Sequence, residues 1–130
     1  MTSRLIAIGD IHGSHIAFDG LLSAIDVRRD DTIVVLGDCV DRGPGSCAVI
    51  ETLLQLRERC NLVTLLGNHE EMMLDHIAGR EPRCAWLPFG GQDTLSSYQA
   101  IGIAEGISAE HLDFVRTWPD YYEHDCHFFV

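Results

Sequence analysis

Short apolar runs alternate along the first half of the chain with segments in which apolar residues recur at helical spacing. The runs cover residues 4–8, 32–36 and 61–66, and they are continuous, as in parallel strands that are covered on both faces. Between them the apolar side chains fall at i, i+3, i+4 and i+7, the spacing of one helix face. This order predicts an α/β fold with a βαβαβ core, in which helices cross over a parallel sheet. The helical positions are Phe18, Leu21, Leu22 and Ile25, then Ile50, Leu53 and Leu54.

Each predicted strand ends in a glycine that is followed by a residue able to bind a metal ion. Because the carboxyl ends of parallel strands share one edge of a sheet, these polar residues are expected to converge on one crevice. A single junction of this kind is typical of an ordinary turn, but three in register favour a site. The junctions are Gly9 with Asp10, Gly37 with Asp38, and Gly67 with Asn68.

The residues that follow the junctions add further ligands. His12 comes two positions after Asp10 in "GDIHG", so both side chains can reach one ion, and Asp38 in "GDCVDRG" has oxygens enough to bridge two ions. Carboxylate, imidazole and amide ligands without thiolate favour Mn²⁺, Fe or Zn²⁺ over a structural zinc site. The sequence therefore predicts a dinuclear metal centre.

The three strings "GDIHG", "GDCVDRG" and "GNHE" closely resemble, in this order, the metallophosphoesterase signature of the PPP-type serine/threonine protein phosphatases of the calcineurin-like superfamily. The stretches "GNHEEMML" and "GGQDTLSSY" are most similar to bacterial and phage members. The resemblance covers most of the chain and implies a metallophosphoesterase core. It implies half of a four-layer α/β/β/α sandwich, truncated before its second half.

The resemblance also implies which residues hold metal. Asp10 and His12 would hold one divalent ion, Asp38 would bridge to a second ion, and Asn68 would bind that second ion. Mn²⁺ is the expected metal, with Fe or Zn²⁺ as alternatives. Two such ions can share a bridging hydroxide and aim it directly at phosphorus, without a phosphoenzyme.

Three further residues receive roles from the same resemblance. Asp41 would hydrogen-bond His69 and keep it in position to protonate the departing alkoxide or phenolate. Arg42 would grip two phosphate oxygens with its planar guanidinium. The predicted function is a phosphoprotein phosphatase that hydrolyses phosphomonoesters of serine and threonine, with phosphotyrosine and small phosphoesters as further candidate substrates.

Two other functions stay open. Symmetrical diadenosine tetraphosphate hydrolases have similar motifs but read "ARG" where this chain reads "DRG", so Asp41 argues against that assignment. A non-catalytic metal-binding or regulatory fragment would keep the fold, but it would need neither Arg42 nor His69. Formation of ADP would identify the first alternative, and phosphate release that survives the loss of His69 would favour the second.

The resembled family completes its second metal site with two histidines from later motifs. The stretch "YYEHDCHFFV" looks like the approach to the first of them, with His124 and His127 expected as surface or edge residues. We therefore expect residues 1–130 to be a single catalytic domain that is incomplete at its C-terminus. With only Asp38 and Asn68 on the second ion, such a fragment should be weakly active or inactive, and it should self-associate through its exposed sheet edge.

Two later segments receive structural predictions. Glu70 is expected to cap the first turn of the helix that follows "GNH" rather than to bind metal. Residues 79–94, rich in glycine and proline, are expected to form a loop or cap beside the site, with Trp86 as a less favoured substrate contact. Residues 109–119 have helical period and end at Pro119.

Composition narrows the function classes further. The 130 residues are 46% hydrophobic, enough for one folded core, and no apolar stretch is long enough to span a membrane. Nine basic residues, all arginine, against twenty acids give a net charge of −11, which argues against nucleic-acid partners and excludes a lysine-dependent phosphate loop. Five scattered cysteines without CxxC spacing predict reduced thiols in a cytoplasmic protein.

Overall fold

The computed structural model describes residues 2–80 and 85–130 of the chain. A three-stranded parallel sheet in the order β1-β2-β3 forms the centre, and a separate antiparallel hairpin lies near the C-terminus. The strands are β1 (Leu5–Ile8), β2 (Thr32–Val35), β3 (Asn61–Thr64), β4 (Tyr122–His124) and β5 (His127–Phe129). The helices are α1 (His15–Ile25), α2 (Ser46–Leu56), α3 (Asn68–Ile77), α4 (Gly91–Gln99) and α5 (Ala109–Val115), with a 3₁₀ turn at Leu87–Phe89.

The predicted βαβαβ core and its parallel sheet are confirmed. In register, Ile33 of β2 lies between Ile6 of β1 and Leu62 of β3. Because right-handed crossovers in the order 1-2-3 both pass over the same face, α1 and α2 lie side by side and contact each other. The second and third predicted strands end one and two residues late relative to the structure, where the chain turns into the glycine junctions, whereas the first ends at Ile8 as predicted.

Burial of the strands on both faces was predicted for all three and holds for only one. Every residue of β2 is buried, because β2 has a strand on each side. β1 and β3 are edge strands, so Ala7 is exposed and Leu62 and Val63 are half-buried. Their apolar runs therefore leave apolar surface at both edges of the described sheet.

The prediction of a loop or cap over residues 79–94 is partly wrong. Residues 81–84 fall outside the described part of the chain, but residues 87–89 form the 3₁₀ turn and residues 91–94 begin α4. Gly90 has a φ of 109°, which lets the chain reverse between the turn and the helix at no steric cost. α4 then turns Thr94 and Tyr98, four residues apart, into the core.

The predicted helix over residues 109–119 is present but shorter, because α5 ends at Val115. Its N-terminus is capped by the Ser108 side chain, which accepts a hydrogen bond from the backbone N–H of His111 at 3.3 Å. In the hairpin beyond it, the exposed rings of Tyr121 and Phe128 stack at 5.4 Å. Self-association through exposed apolar surface stays a prediction.

Cys39, Cys47 and Cys60 are buried as packing residues, while Cys126 is exposed and Cys84 falls outside the described residues. Burial raises the pKa of the Cys39 thiol well above its usual value, and the charges of Glu70 and Asp38 add to the shift. Cys39 is therefore a packed thiol rather than a thiolate ligand. Within residues 2–80 and 85–130, no helix has the length and apolar character needed to cross a membrane.

Asp31, at the foot of β2, ties the first two strands together through Arg4. Its carboxylate accepts hydrogen bonds from Arg4 Nε at 2.8 Å, from Arg4 Nη2 at 2.6 Å and from the Arg28 backbone N–H at 2.7 Å. The hydrogen bonds from Arg4 lower the pKa of Asp31 from 3.8 to about 2, although burial opposes the shift. The folded protein therefore favours the ionised carboxylate.

Acid stability is expected to depend on this carboxylate. The pKa of Asp31 is lower in the folded state than in the unfolded state. The carboxylate therefore makes its full contribution to the free energy of unfolding above about pH 4, and this contribution disappears as the pH falls through about 2. Asp31→Asn should therefore lower the melting temperature at neutral pH, and the deficit should shrink in acid. Thermal unfolding followed by circular dichroism measures this, with Asp113→Asn, in an exposed pair with Arg116, as the control. A deficit that is constant with pH would contradict the prediction.

Candidate metal centre

The three strand-end junctions meet at one edge of the sheet, and glycine allows the close approach. A Cβ on Gly37 would lie 2.8 Å from Gly67 Cα, and a Cβ on Gly67 would collide with the Asp38 carboxylate. Gly37 also has a φ of 90°, which favours glycine. Larger residues at either position would push the second and third junctions apart.

The loops that follow the first two strands are joined by backbone hydrogen bonds. His12 N–H donates to the Asp38 carbonyl at 2.9 Å, and Gly13 N–H donates to the Cys39 carbonyl at 2.8 Å. In return, Gly43 N–H donates to the His12 carbonyl at 3.0 Å. The two loops therefore form one rigid unit.

Backbone strain in this unit falls on the predicted site residues. Four of them have a positive φ, an uncommon conformation for residues with a Cβ. Such strain persists where surrounding contacts over-determine the backbone, and it is typical of functional sites. The residues are His12 at 43°, Asp38 at 52°, Asp41 at 75° and Arg42 at 73°.

Asp10, His12 and Asp38 form a cluster with the geometry of a metal site. One ligand atom from each residue lies within 4.8 Å of the other two, and each side chain is exposed or half-buried. His12 Nδ1 lies 2.9 Å from the Val40 carbonyl, so Nδ1–H donates to it and Nε2 is left to bind an ion. Asn68 is the first residue of α3, at the third junction, and its side chain is exposed to solvent.

The start of α3 also holds the side chain of Asp38 in place. Its Oδ1 accepts a hydrogen bond from the backbone N–H of His69 at 3.2 Å, so the carboxylate also lies at the positive end of that helix. The second and third junctions are therefore coupled through the side chain that was predicted to bridge two ions.

Glu70 binds the backbone around Asp38 as well as capping its own helix. Its Oε1 accepts from Gly67 N–H at 3.0 Å, as expected for a cap, and from Asp38 N–H at 2.7 Å. Its Oε2 accepts from the N–H groups of Cys39 at 3.0 Å and Val40 at 3.3 Å. Burial raises the pKa of Glu70 to about 7, while the backbone N–H donors act in the other direction.

His69 and Asp41 form a buried pair next to the metal-type cluster. Nδ1–H of His69 donates to Asp41 Oδ2 at 2.7 Å, which leaves Nε2 available for other partners. The ring of His69 lies 4.8 Å from that of His12, centroid to centroid, at an angle of 79°. A proton carried on His69 Nε2 would therefore lie close to any group bound at the cluster.

Arg42 follows Asp41 and faces solvent. Among residues 2–80 and 85–130, no hydrogen bond or ion pair engages its guanidinium. The side chain borders a cleft of about 440 Å³ whose other walls include Leu87, Phe89 and Asp93. A planar cation at the mouth of a partly apolar cleft suits a phosphate group that carries an organic substituent.

A further cavity lies away from these residues. It has a volume of about 540 Å³ and is bordered by α2, α4 and α5. Two of the residues that line it, Glu51 and His111, are joined by a contact of 2.8 Å between Glu51 Oε2 and His111 Nε2. The Tyr98 hydroxyl lies 2.8 Å from Nδ1 of the same histidine. These contacts tie three helices together, and none of the residues predicted for the site borders the cavity.

Sequence reasoning missed the groups that surround Asp41. Its Oδ1 accepts from Thr94 Oγ1 at 2.7 Å, and its Oδ2 accepts from Trp86 Nε1 at 2.7 Å. Its own backbone N–H lies 3.0 Å from Ser46 Oγ and 2.9 Å from Thr94 Oγ1. Trp86 was considered as a substrate contact, but its side chain is fully buried and turned towards Asp41. The paired Gly90 and Gly91 are a local sequence signal that could have indicated close packing there.

Comparison with known proteins agrees with this geometry. The family described as "Calcineurin-like phosphoesterase" matches residues 3–127. A curated relative from Chromohalobacter salexigens, named bis(5'-nucleosyl)-tetraphosphatase, symmetrical, is 41% identical over 116 residues, which are 87% of this chain and 38% of that protein. A protein of the same name from Delftia acidovorans is 42% identical over 76 residues, which are 58% of this chain and 26% of its own.

A solved metallophosphoesterase structure from Sphaerobacter thermophilus has the same fold. It superposes with a TM-score of 0.60 at 24% identity, covering 92% of this chain and 43% of that one. The chain thus spans less than half the length of these proteins. The superfamily predicted from the three motifs is confirmed, whereas the names of the curated relatives correspond to the diadenosine tetraphosphate alternative rather than to protein phosphatases.

Proposed function

Because the chain belongs to the calcineurin-like phosphoesterase family, we propose that it hydrolyses phosphomonoesters with the help of divalent metal ions. The observation that carries the proposal is the Asp10, His12 and Asp38 cluster beside the His69 and Asp41 pair. A metal-binding group and a proton-donating group thereby lie within reach of one bound phosphate.

The donor set of the cluster fits a divalent ion. Two carboxylates supply negative charge, and the carbonyl of Val40 holds Nδ1 of His12 so that Nε2 can bind an ion. We propose that Asp10, His12 and Asp38 hold one ion and that Asp38 and Asn68 hold a second, with Mn²⁺ as the metal. When bound, such ions lower the pKa of a water molecule and neutralise charge on the phosphoryl oxygens.

The chain's own residues supply the remaining steps. Arg42 binds two phosphoryl oxygens through its guanidinium and orients the ester bond. His69 donates the proton on Nε2 to the departing oxygen, while its Nδ1–H stays on Asp41. The buried Asp41 therefore fixes the orientation of the ring.

The proton donor is the reason to place phosphomonoesters first. An alkoxide from serine or threonine is a strong base and needs a proton as it departs, whereas ADP is a weak base that departs without one. Asp41 is fully buried against His69 and holds it in one orientation. An oriented proton donor of this kind suits an alkoxide, which is the leaving group that needs a proton. The names of the curated relatives support the other candidate, symmetrical hydrolysis of dinucleoside tetraphosphates.

The test measures turnover of three substrates by this chain with added Mn²⁺. Because only Asp38 and Asn68 would hold the second ion, we expect slow release of phosphate from a phosphoserine peptide and from phenyl phosphate, and still less ADP from diadenosine tetraphosphate. EDTA or Asp38→Asn should abolish the activity. Asp120→Asn, at an exposed acid outside the site, should keep full activity.

Two other outcomes would favour one of the alternative functions instead. Faster formation of ADP than of phosphate would assign the chain to the tetraphosphatases. Mn²⁺ binding by calorimetry without turnover of any substrate would indicate a non-catalytic metal-binding fragment.

A further inference from the structure

The carboxylate of Asp41 is held by three side chains, and only one of them belongs to the strand-end motifs. Oδ2 accepts from His69 Nδ1 and Trp86 Nε1, each at 2.7 Å, and Oδ1 accepts from Thr94 Oγ1 at 2.7 Å. Asp41 is fully buried, so these donors take the place of the water that an exposed carboxylate would bind. Two of the three donors come from the segment around the 3₁₀ turn and α4.

Trp86 has no freedom to leave this position. Its side chain is fully buried, and a Cβ on Gly91 would collide with its indole ring. Gly90, one residue earlier, packs so closely that a Cβ there would lie 2.9 Å from Asp41 Cβ and 2.7 Å from Arg42 N. The two consecutive glycines therefore let the turn press the indole N–H against the Asp41 carboxylate.

Thr94 clamps Asp41 at two atoms. Its hydroxyl donates to Asp41 Oδ1 at 2.7 Å, and the same oxygen accepts from the Asp41 backbone N–H at 2.9 Å. Asp41 has a φ of 75°, so its backbone needs contacts of this kind to stay in a strained conformation. Thr94 thus sets both the backbone and the side-chain direction of Asp41.

We propose that Trp86 and Thr94 are positioning residues that fix Asp41 and, through Asp41, the ring of His69 for proton donation to the leaving group. This inference rests on the proposed function, because it assumes that His69 protonates the departing oxygen. Both side chains are fully buried, so their role would be exerted through Asp41 rather than on the substrate. If the carboxylate can rotate away from His69, the acid loses its orientation and leaving groups that need a proton depart slowly.

A merely structural role for Trp86 would lower every rate by the same factor, so the test varies the leaving group. Trp86→Phe keeps an apolar ring and removes the N–H. On phenyl phosphate it should lower kcat about tenfold, the loss expected for one hydrogen bond to a charged group, while on p-nitrophenyl phosphate the change should be less than about threefold. Thr94→Val should give the same pattern.

Trp118→Phe is the matched control. Trp118 is also buried, and among the described residues its Nε1 has no hydrogen-bond partner. Its replacement should change kcat by the same factor for phenyl phosphate and for p-nitrophenyl phosphate. Equal factors on both substrates for Trp86→Phe and Thr94→Val would overturn the inference.

A second measurement does not depend on activity. The chain has two tryptophans, so the indole N–H resonance that disappears in Trp86→Phe is assigned to Trp86. In Thr94→Val that resonance should shift, because both groups share one carboxylate, and the Trp118 resonance should stay in place. An unmoved Trp86 resonance overturns the inference, whereas a shifted resonance in a protein without turnover rejects the proposed function alone.

Discussion

Replacing His69 by Asn is expected to slow the hydrolysis of an alkyl or phenyl phosphate by about 10²–10⁴-fold, the usual contribution of a positioned general acid. The imidazole is buried next to the metal-type cluster, its Nδ1–H is bound to Asp41 at 2.7 Å, and its Nε2 has no hydrogen-bond partner among residues 2–80 and 85–130. Asparagine can keep the hydrogen bond to Asp41, but it cannot deliver a proton to the departing oxygen.

The effect of His69→Asn should depend steeply on the leaving group. p-Nitrophenolate is a weak base and needs little help, so its release should fall far less than that of phenolate. Measuring kcat for a series of aryl phosphates gives the dependence of rate on leaving-group basicity, which should be steeper in the variant. His127→Asn, on the exposed hairpin, should leave the series unchanged.

Two results would contradict this assignment. Losses that are equal across the series would mean that His69 acts on substrate or metal binding rather than on proton transfer. Rates close to those of the unmodified chain would exclude His69 as the acid altogether.

Placement of the candidate metal ligands could be predicted because it follows from local sequence and from one property of parallel sheets. Continuous apolar runs identified the strands, and the carboxyl ends of neighbouring parallel strands necessarily share an edge. Asp10, His12 and Asp38 needed only to follow those ends to lie within 4.8 Å of one another. Their roles in binding metal stay predictions.

The surroundings of Asp41 could not be predicted in this way. Trp86 and Thr94 reach it from 45 and 53 residues away, and no periodicity or motif records such a contact. Their segment contains Pro88 and Gly90, which favour a loop in any local interpretation. Tertiary packing instead uses Gly90 as the left-handed start of α4.

Glu70 was predicted as a helix cap, and the structure shows that it also accepts hydrogen bonds from the loop after β2. The cap accounts for one hydrogen bond, to Gly67. The other three hold the N–H groups of consecutive residues in the loop after β2, about thirty positions earlier in the chain. Because a loop in this conformation cannot pair its own N–H groups, an acceptor must come from elsewhere in the fold.

Glu70→Ala is therefore expected to be among the most destabilising single substitutions in the chain. It removes the acceptor from the buried N–H groups of Cys39 and Val40 and leaves a cavity at a fully buried position. Each unsatisfied buried donor costs about 1–3 kcal/mol, so the expected loss is about 3–5 kcal/mol. Since domains of this size have a total unfolding free energy of about 5–15 kcal/mol, the variant should lose a large share of its stability.

Comparison with its neighbour separates this effect from general helix stability. Glu71 is exposed in the same first turn of α3, and Glu71→Ala removes only a favourable charge at the helix N-terminus, about 0.3–1 kcal/mol. Urea unfolding of both variants measures the difference. If Glu70→Ala costs no more than Glu71→Ala, the carboxylate does not support the loop.

Glu70→Gln connects this stability to the metal site. Glutamine keeps the shape of the side chain, but it presents one amide NH₂ where the carboxylate presents an acceptor, so one of the two sets of N–H donors loses its partner. Since the Asp38 backbone is among those donors, the variant should fold and yet bind Mn²⁺ more weakly, measured by calorimetry. Unchanged Mn²⁺ affinity in a measurably destabilised Glu70→Gln would mean that the loop keeps Asp38 in place without Glu70, and that the carboxylate contributes to folding only.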